Sequence, residues 1–223
     1  MKIAIYGGSF DPPHLGHLLL AAQVTERFAV DRFIFMPAYH SPLKAGRPCA
    51  TDAQRLDMLR LATAGVPEFE VSDFELSRGG VSYTVDTLRE GHRRHPGAEF
   101  LFIAGMDSLL TLHAWKEPLE ILSLCDFVTF RRPQYPLPSP ADLKLPPAAA
   151  EKLLANVFDG RLCDVSSSEI RERAAAGKSF RYLVTPEVEN YIRQNNIYTR
   201  ADRPAEKQTP RQKRRKVNHH GIT

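Results

Sequence analysis

Nowhere in the 223 residues does an apolar run approach the length of a membrane span. The opening Met1-Lys2-Ile3-Ala4-Ile5-Tyr6 has no charged-then-apolar leader and runs straight into a glycine-rich turn, so the expected location is cytoplasmic. Cysteine is scarce. Cys49, Cys125 and Cys163 are odd in number and widely spaced, which argues against a disulfide framework and a zinc site and fits a reducing compartment. Tryptophan occurs once, at Trp115. No internal repeat is visible. The net charge of +4 is not spread evenly: from Arg200 onward eight Lys/Arg face two acids, a surplus of six, so residues 1–199 carry a net −2. That excludes a general nucleic-acid footprint on the body.

What is present is an alternation. Ile3–Tyr6, Phe33–Met36, Phe69–Ser72, Phe100–Ala104, Asp126–Phe130 and Arg161–Val165 read as strands, most of them with the consecutive apolar residues of strands covered on both faces. Helical patterns fall near 16–28, 52–64, 84–94, 115–124, 149–157, 168–176 and 186–195. Thr51-Asp52-Ala53-Gln54 has the spacing of a capping box. The expectation is an α/β fold, a Rossmann-like doubly wound and mainly parallel sheet with a small helical C-terminal part. Residues 1–198 are read as one domain and 199–223 as a basic tail poor in apolar residues. The segment 132–147 holds six prolines and reads as an exposed, extended connection.

The first strand leads into Gly7-Gly8-Ser9-Phe10-Asp11-Pro12-Pro13-His14-Leu15-Gly16-His17 and then a helical run. Ligands of open parallel sheets bind at strand carboxyl ends. Gly7 and Gly8 let a nucleotide approach the backbone, and a helix starting near Leu15 offers free N–H groups to an anion. His14 and His17, three apart, share a helix face and can donate hydrogen bonds to phosphate oxygens. A second strand-to-helix junction, Ser166-Ser167-Ser168-Glu169-Ile170-Arg171, offers hydroxyls, N–H groups and an arginine able to bind two phosphate oxygens.

The eleven-residue string resembles the nucleotidyltransferase superfamily signature Gly-Gly-Ser/Thr-Phe-Asp-Pro-x-His-x-Gly-His, and 166–171 resembles its Ser-Ser-Thr/Ser-x-Ile-Arg element. Three further segments resemble the bacterial-type nicotinate-nucleotide adenylyltransferases. These are Glu75 to Leu88, with Ser82-Tyr83-Thr84-Val85-Asp86-Thr87-Leu88; Ile103-Ala104-Gly105-Met106-Asp107; and Trp115, which falls where that family places an aromatic against the pyridine ring. The likeness runs from about residue 2 to 198. It departs at Ser41-Pro42-Leu43-Lys44, where relatives usually have Pro-Pro-His-Lys, and at Pro118, where a second Trp is frequent.

The resemblance implies adenylyl transfer from ATP to nicotinic acid mononucleotide, giving nicotinic acid adenine dinucleotide and pyrophosphate. It assigns catalysis to His14, His17, Lys44 and Arg171, and ATP binding to Gly7, Gly8, Ser9, Phe10, His14, His17, Gly105, Asp107, Ser166, Ser167, Ile170 and Arg171. Acceptor binding goes to Ser82, Tyr83, Thr84 and Trp115. Thr84 is read as opening a helix whose N–H and hydroxyl receive a carboxylate, and Asp107 as ending a strand beside the ribose. Mg²⁺ is expected to arrive with ATP, without a protein metal site. A nicotinamide mononucleotide or dual acceptor remains an alternative, as does a phosphopantetheine acceptor on the same fold. So does a non-catalytic nucleotide-binding protein acting through its basic tail, the one stretch suited to nucleic acid. No membrane partner is expected, and self-association is left open.

Overall fold

A computed structural model describes residues 1–42, 46–131, 136–161 and 163–199. Its centre is a six-stranded, all-parallel sheet in the order β3-β2-β1-β4-β5-β6. The chain runs β1 (Lys2–Gly8), α1 (Leu15–Phe28), β2 (Arg32–Pro37), α2 (Asp52–Thr63), β3 (Phe69–Val71), α3 (Phe74–Arg78), α4 (Thr84–Arg94), β4 (Glu99–Gly105), α5 (Met106–Thr111), α6 (Pro118–Leu124), β5 (Asp126–Phe130), α7 (Pro147–Ala155), β6 (Val157–Phe158), α8 (Ser167–Ala175) and α9 (Pro186–Gln194). Alternation along each strand divides the core. Ile3, Ile5, Ile34 and Met36 face the layer of α4, α5, α6 and α7. Ala4, Phe33 and Phe35 face α1 and Leu59 of α2. Burial on both faces explains why the strands are apolar runs. The strand order reverses between β1 and β4, so the ligand crevice of a doubly wound sheet falls at their carboxyl ends.

The C-terminal helical part has its own core. Ile170, Phe180, Val188, Ile192, Ile197 and Tyr198 pack with Met58 of α2. The capping box of α2 forms as its spacing predicts: Gln54 N–H donates to Thr51 Oγ1 at 3.2 Å and Thr51 N–H to Gln54 Oε1 at 2.9 Å. Such a cap contributes about 1 kcal/mol.

Three sequence expectations need correction. Residues 161 and 163–165 form no strand. The sixth strand is Val157–Phe158, beginning at the last residue of the stretch read as helix near 149–157, and it pairs with Thr129 and Phe130. The backbone of Arg161 is engaged instead by the Gln23 side-chain amide, and Val165 N–H turns back to Cys163 O at 2.8 Å, so neither group is available to a ladder. Asp107 does not end β4; it lies in the first turn of α5, because Gly105 already caps that helix. The proline-rich connection is not uniformly extended or exposed. Pro140–Leu143 make a 3-10 turn and Leu143 is fully buried in the core. Residues 132–135 lie outside the described residues.

Candidate active site at the sheet switch point

The turn after β1 is held from beneath. Arg55 of α2 is fully buried and donates to Ser9 O at 2.8 Å, to Ala38 O at 2.9 Å and to Asp52 Oδ1 at 2.7 Å. One guanidinium thus ties the turns after β1 and β2 to α2, a role for which its five fixed donors suit it. Phe10 sits at φ 47° with its ring edge-on to Tyr6 at 5.5 Å. A Cβ on Gly8 would meet that ring at 3.0 Å, so Gly8 is required for close approach. The Asp11–Pro12 peptide is cis.

Asp11 is the second fixed point. It is buried, and its carboxylate accepts from Cys49 N–H at 2.8 Å, Ala50 N–H at 2.9 Å and the Tyr198 hydroxyl at 2.9 Å. Burial and the neighbouring carboxylate push the Tyr198 phenol far above its usual range, so it stays a hydroxyl donor. Arg171 donates to Asp11 O at 2.7 Å and to Ser168 Oγ at 3.2 Å, with the Asp11 carboxylate 3.7 Å away. The Ser167 hydroxyl donates to Pro12 O at 2.8 Å. The two predicted phosphate motifs are therefore one structure, joined across more than 150 residues. Ser166 caps α8 by accepting from Glu169 N–H at 3.1 Å, and Ile170 is fully buried beneath the helix.

His14 is the N-cap of α1 and His17 lies three residues into it. Their rings stack with centroids 3.6 Å apart and planes 24° from parallel. The His14 N–H donates to His17 Nδ1 at 3.1 Å. A ring nitrogen that accepts is unprotonated, so neutral His17 carries its proton on Nε2, as a donor. Across the switch point Gly105 caps α5 at the end of β4, and a Cβ there would meet Asp107 Oδ1 at 2.6 Å. Only glycine leaves Asp107 its place.

Ser82, Tyr83, Thr84 and Trp115 are brought together. With Ser41, Pro42 and Lys116 they line a cavity of about 120 Å³. Tyr83 caps α4 and Thr84 is its first residue, so the helix N-terminus faces the cavity side of the block. Trp115 packs edge-on to Phe102, centroids 6.1 Å apart, and its Nε1–H donates to Thr111 Oγ1 at 3.4 Å. Phe102 also abuts Gly7, where a Cβ would lie 3.5 Å from its ring. Phe102 therefore separates the glycine turn from the tryptophan by one side chain. Lys116 Nζ sits 4.8 Å over the Tyr83 ring and 3.2 Å from Asp86. Pro118 occupies the first position of α6, where a missing N–H costs nothing. Lys44 and Leu43 lie outside the described residues. Sequence reading missed Arg55, the anchoring of Tyr198, and Lys116 in the cavity wall.

A larger cavity, about 250 Å³, runs along β2 between α3 and α4. None of the predicted site residues lines it, and its ion pair Arg32–Glu70 is internally matched. Among the described residues, no group of three or more His, Cys, Asp or Glu could hold a metal, and no helix is long and apolar enough to cross a membrane.

Histidines at the N-terminus of α1, glycines at the ends of β1 and β4, and an arginine from α8 on one switch point define a nucleotidyltransferase. The cytidylyltransferase-like family model accordingly matches residues 5–173. A probable nicotinate-nucleotide adenylyltransferase of Geotalea daltonii is 41% identical over 213 residues, spanning 89% of this chain and 98% of that protein. The corresponding protein of Opitutus terrae is 39% identical over 198 residues, spanning 89% and 98%. The chain belongs to the nicotinate-nucleotide adenylyltransferase family. A Plasmodium falciparum nicotinic acid mononucleotide adenylyltransferase solved with NaAD shares the fold, with a TM-score of 0.70 at 19% identity over 88% of this chain and 97% of that one.

Proposed function

We propose that the protein joins the adenylyl group of ATP to nicotinic acid mononucleotide. The carrying observation is that Phe102 lies between the glycine turn leading to the stacked His14–His17 pair and the Trp115 side of the Thr84–Trp115 cavity. In the reaction a phosphate oxygen of the mononucleotide attacks the α-phosphorus of ATP. A new P–O–P bridge forms, the bond to the β-phosphate oxygen breaks, and pyrophosphate leaves. The attacking phosphate is already ionised near neutral pH, so no strong base is needed. Catalysis is positioning plus stabilisation of charge on phosphate oxygens.

His17 Nε2–H and the His14 ring supply donors at the α/β-phosphates. Ser167 and Arg171, fastened to Pro12 and Asp11, border the outer phosphates, with Ser166 and the start of α8 beside them. Asp107 at the start of α5 is assigned to ribose hydroxyls. Lys44 is assigned to phosphate on the resemblance alone. The mononucleotide carboxylate is assigned to the start of α4 at Thr84, and its ring to the face of Trp115. Mg²⁺ belongs with the triphosphate and screens its charge. Asp11 is a poor ligand for it, since both its oxygens already accept hydrogen bonds. The same reading places the enzyme in the cytoplasm, on its cysteine usage.

Pyrophosphate release with ATP and Mg²⁺, run in parallel with nicotinic acid mononucleotide and nicotinamide mononucleotide, tests this. A strong preference for the acid is expected. Equal use of both discards the carboxylate argument, and release with neither discards the reaction.

A further inference from the structure

The walls of the acceptor cavity come from separate stretches: Ser41 and Pro42 after β2, Ser82–Thr84 at the start of α4, and Ala114–Lys116. Backbone contact between the first two is slight: Ser82 N–H donates to His40 O at 2.9 Å. Among the described residues a further support comes from a side chain outside the cavity. Glu75 projects from α3 and is only 6% exposed. Its carboxylate accepts from the Thr87 hydroxyl at 2.5 Å, one turn along α4 from Thr84, and the Ser82 hydroxyl stands near enough to favour its ionised form. The Ser82 oxygen in turn accepts Tyr39 N–H at 3.1 Å. One carboxyl group therefore grips α4 directly and stands beside the Ser82 hydroxyl that holds the loop after β2.

Burying a carboxyl is costly, and an apolar side chain would fill the space more cheaply. Burial pushes the Glu75 carboxyl up, while the Thr87 and Ser82 hydroxyls and the nearby Arg78 guanidinium oppose that. Arg78 is itself fastened to this block, donating to Val81 O at 2.8 Å and lying 3.3 Å from Asp86. The groups around Glu75 thus belong to the stretch that ends in the cavity wall.

We infer that Glu75 is a positioning residue of the acceptor subsite, setting the separation between the Thr84 end of α4 and the loop at Ser41–Pro42. The inference rests on the adenylyl-transfer reading. Losing a charge-assisted grip should open the cavity without touching the donor site around Asp11, which shares none of these hydrogen bonds. Wrong separation costs binding of the acceptor and leaves binding of the nucleotide triphosphate alone.

Steady-state kinetics of Glu75→Gln, with ATP and nicotinic acid mononucleotide varied separately, reads this out. The expected result is an acceptor KM raised about tenfold, with the ATP KM within about twofold of wild type. Thr87→Val and Thr87→Ser guard against a variant that fails to fold. Valine removes the hydroxyl at similar volume and should raise the acceptor KM, whereas serine retains the hydroxyl and should restore it. Both KM values rising together in Glu75→Gln, or Val and Ser at position 87 behaving alike, overturns the inference. Wild-type protein that releases no pyrophosphate with either acceptor overturns the underlying reaction instead, so the two failures are distinct.

Discussion

The two ends of the crevice are built on different principles. At the donor end the fixed points are buried, and they draw on segments far apart in the chain. Arg55 joins the turns after β1 and β2, and Asp11 gathers the loop at Cys49–Ala50, α8 and Tyr198. Many of these bonds end on backbone groups, which do not depend on a neighbour's rotamer. At the acceptor end, apart from the buried Glu75–Thr87 pair, the fixed points are side chains in largely exposed, branching ion pairs. Asp86 meets Arg78, Arg89 and Lys116, and Arg89 meets Glu117 and Glu120. Exposed pairs of this kind contribute little each. On the proposed assignment, such a design holds the phosphate site rigidly and leaves much of the acceptor wall adjustable by substitutions at the surface.

That contrast can be broken most forcefully at His17. His17→Ala should reduce turnover by about 10²–10³, because a preorganised donor is lost, and cost about 1 kcal/mol of stability, because the ring also caps His14 N–H and stacks on His14. Near-normal turnover in a folded variant would remove His17 from the mechanism. Trp115→Ala comes next. It should raise the acceptor KM by about tenfold or more while sparing ATP, as expected when a stacking face is removed. At the donor end Arg55→Leu should cost stability, about 3 kcal/mol by chemical denaturation, since the part-buried Ser9 and Ala38 carbonyls and the Asp52 carboxylate lose the guanidinium that ties them together. A loss under 1 kcal/mol would mean that the Arg55 clamp is not what holds the turn.

Smaller effects sharpen the comparison. Removing 200–223 should leave kcat and both KM values unchanged, whereas ending the chain two residues earlier, after Ile197, should impair ATP binding through loss of the Tyr198 hydroxyl on Asp11. Equal activity of the two truncations would show that the contact is dispensable. Smallest is the far end of α4, where the Arg93 and Arg94 guanidiniums hold the Glu90 carboxyl down at about 2. A lowered carboxylate stabilises the fold above its unfolded range near 4.5, and that contribution fades as the pH drops toward about 2. The stability difference between wild type and Glu90→Gln should therefore be small at neutral pH and vanish in acid; a gap that widens in acid would contradict the assignment.

Much of this was legible in the sequence because the local signals were long or complete. β1, β2, β4 and β5 are apolar runs, and the glycine-to-histidine string is specific as a whole although each member is weak alone. The Thr51–Gln54 box marks its helix to the residue. β6 escaped because two residues cannot carry a period, and Val157-Phe158 continues the helical pattern of α7. α5 escaped because it starts at Gly105, a residue that also ends a strand. Arg55 looked like any cation on a helix, and nothing local shows that two distant carbonyls converge on it. Tyr198 had the same difficulty, since its partner lies 187 residues earlier.

That separation bears on the order of synthesis. The ribosome makes the glycine turn, Asp11 and both histidines within the first tenth of the described chain, and Tyr198 almost last among the described residues. Until that phenol arrives, Asp11 lacks one of its partners and the core beneath the arm carrying Arg171 lacks one of its members. A stalled or clipped chain would hold every early motif and yet offer ATP a slack cradle. Tyr198 thus makes completion of the Asp11 cradle depend on the helical part that the chain adds after its sheet is built.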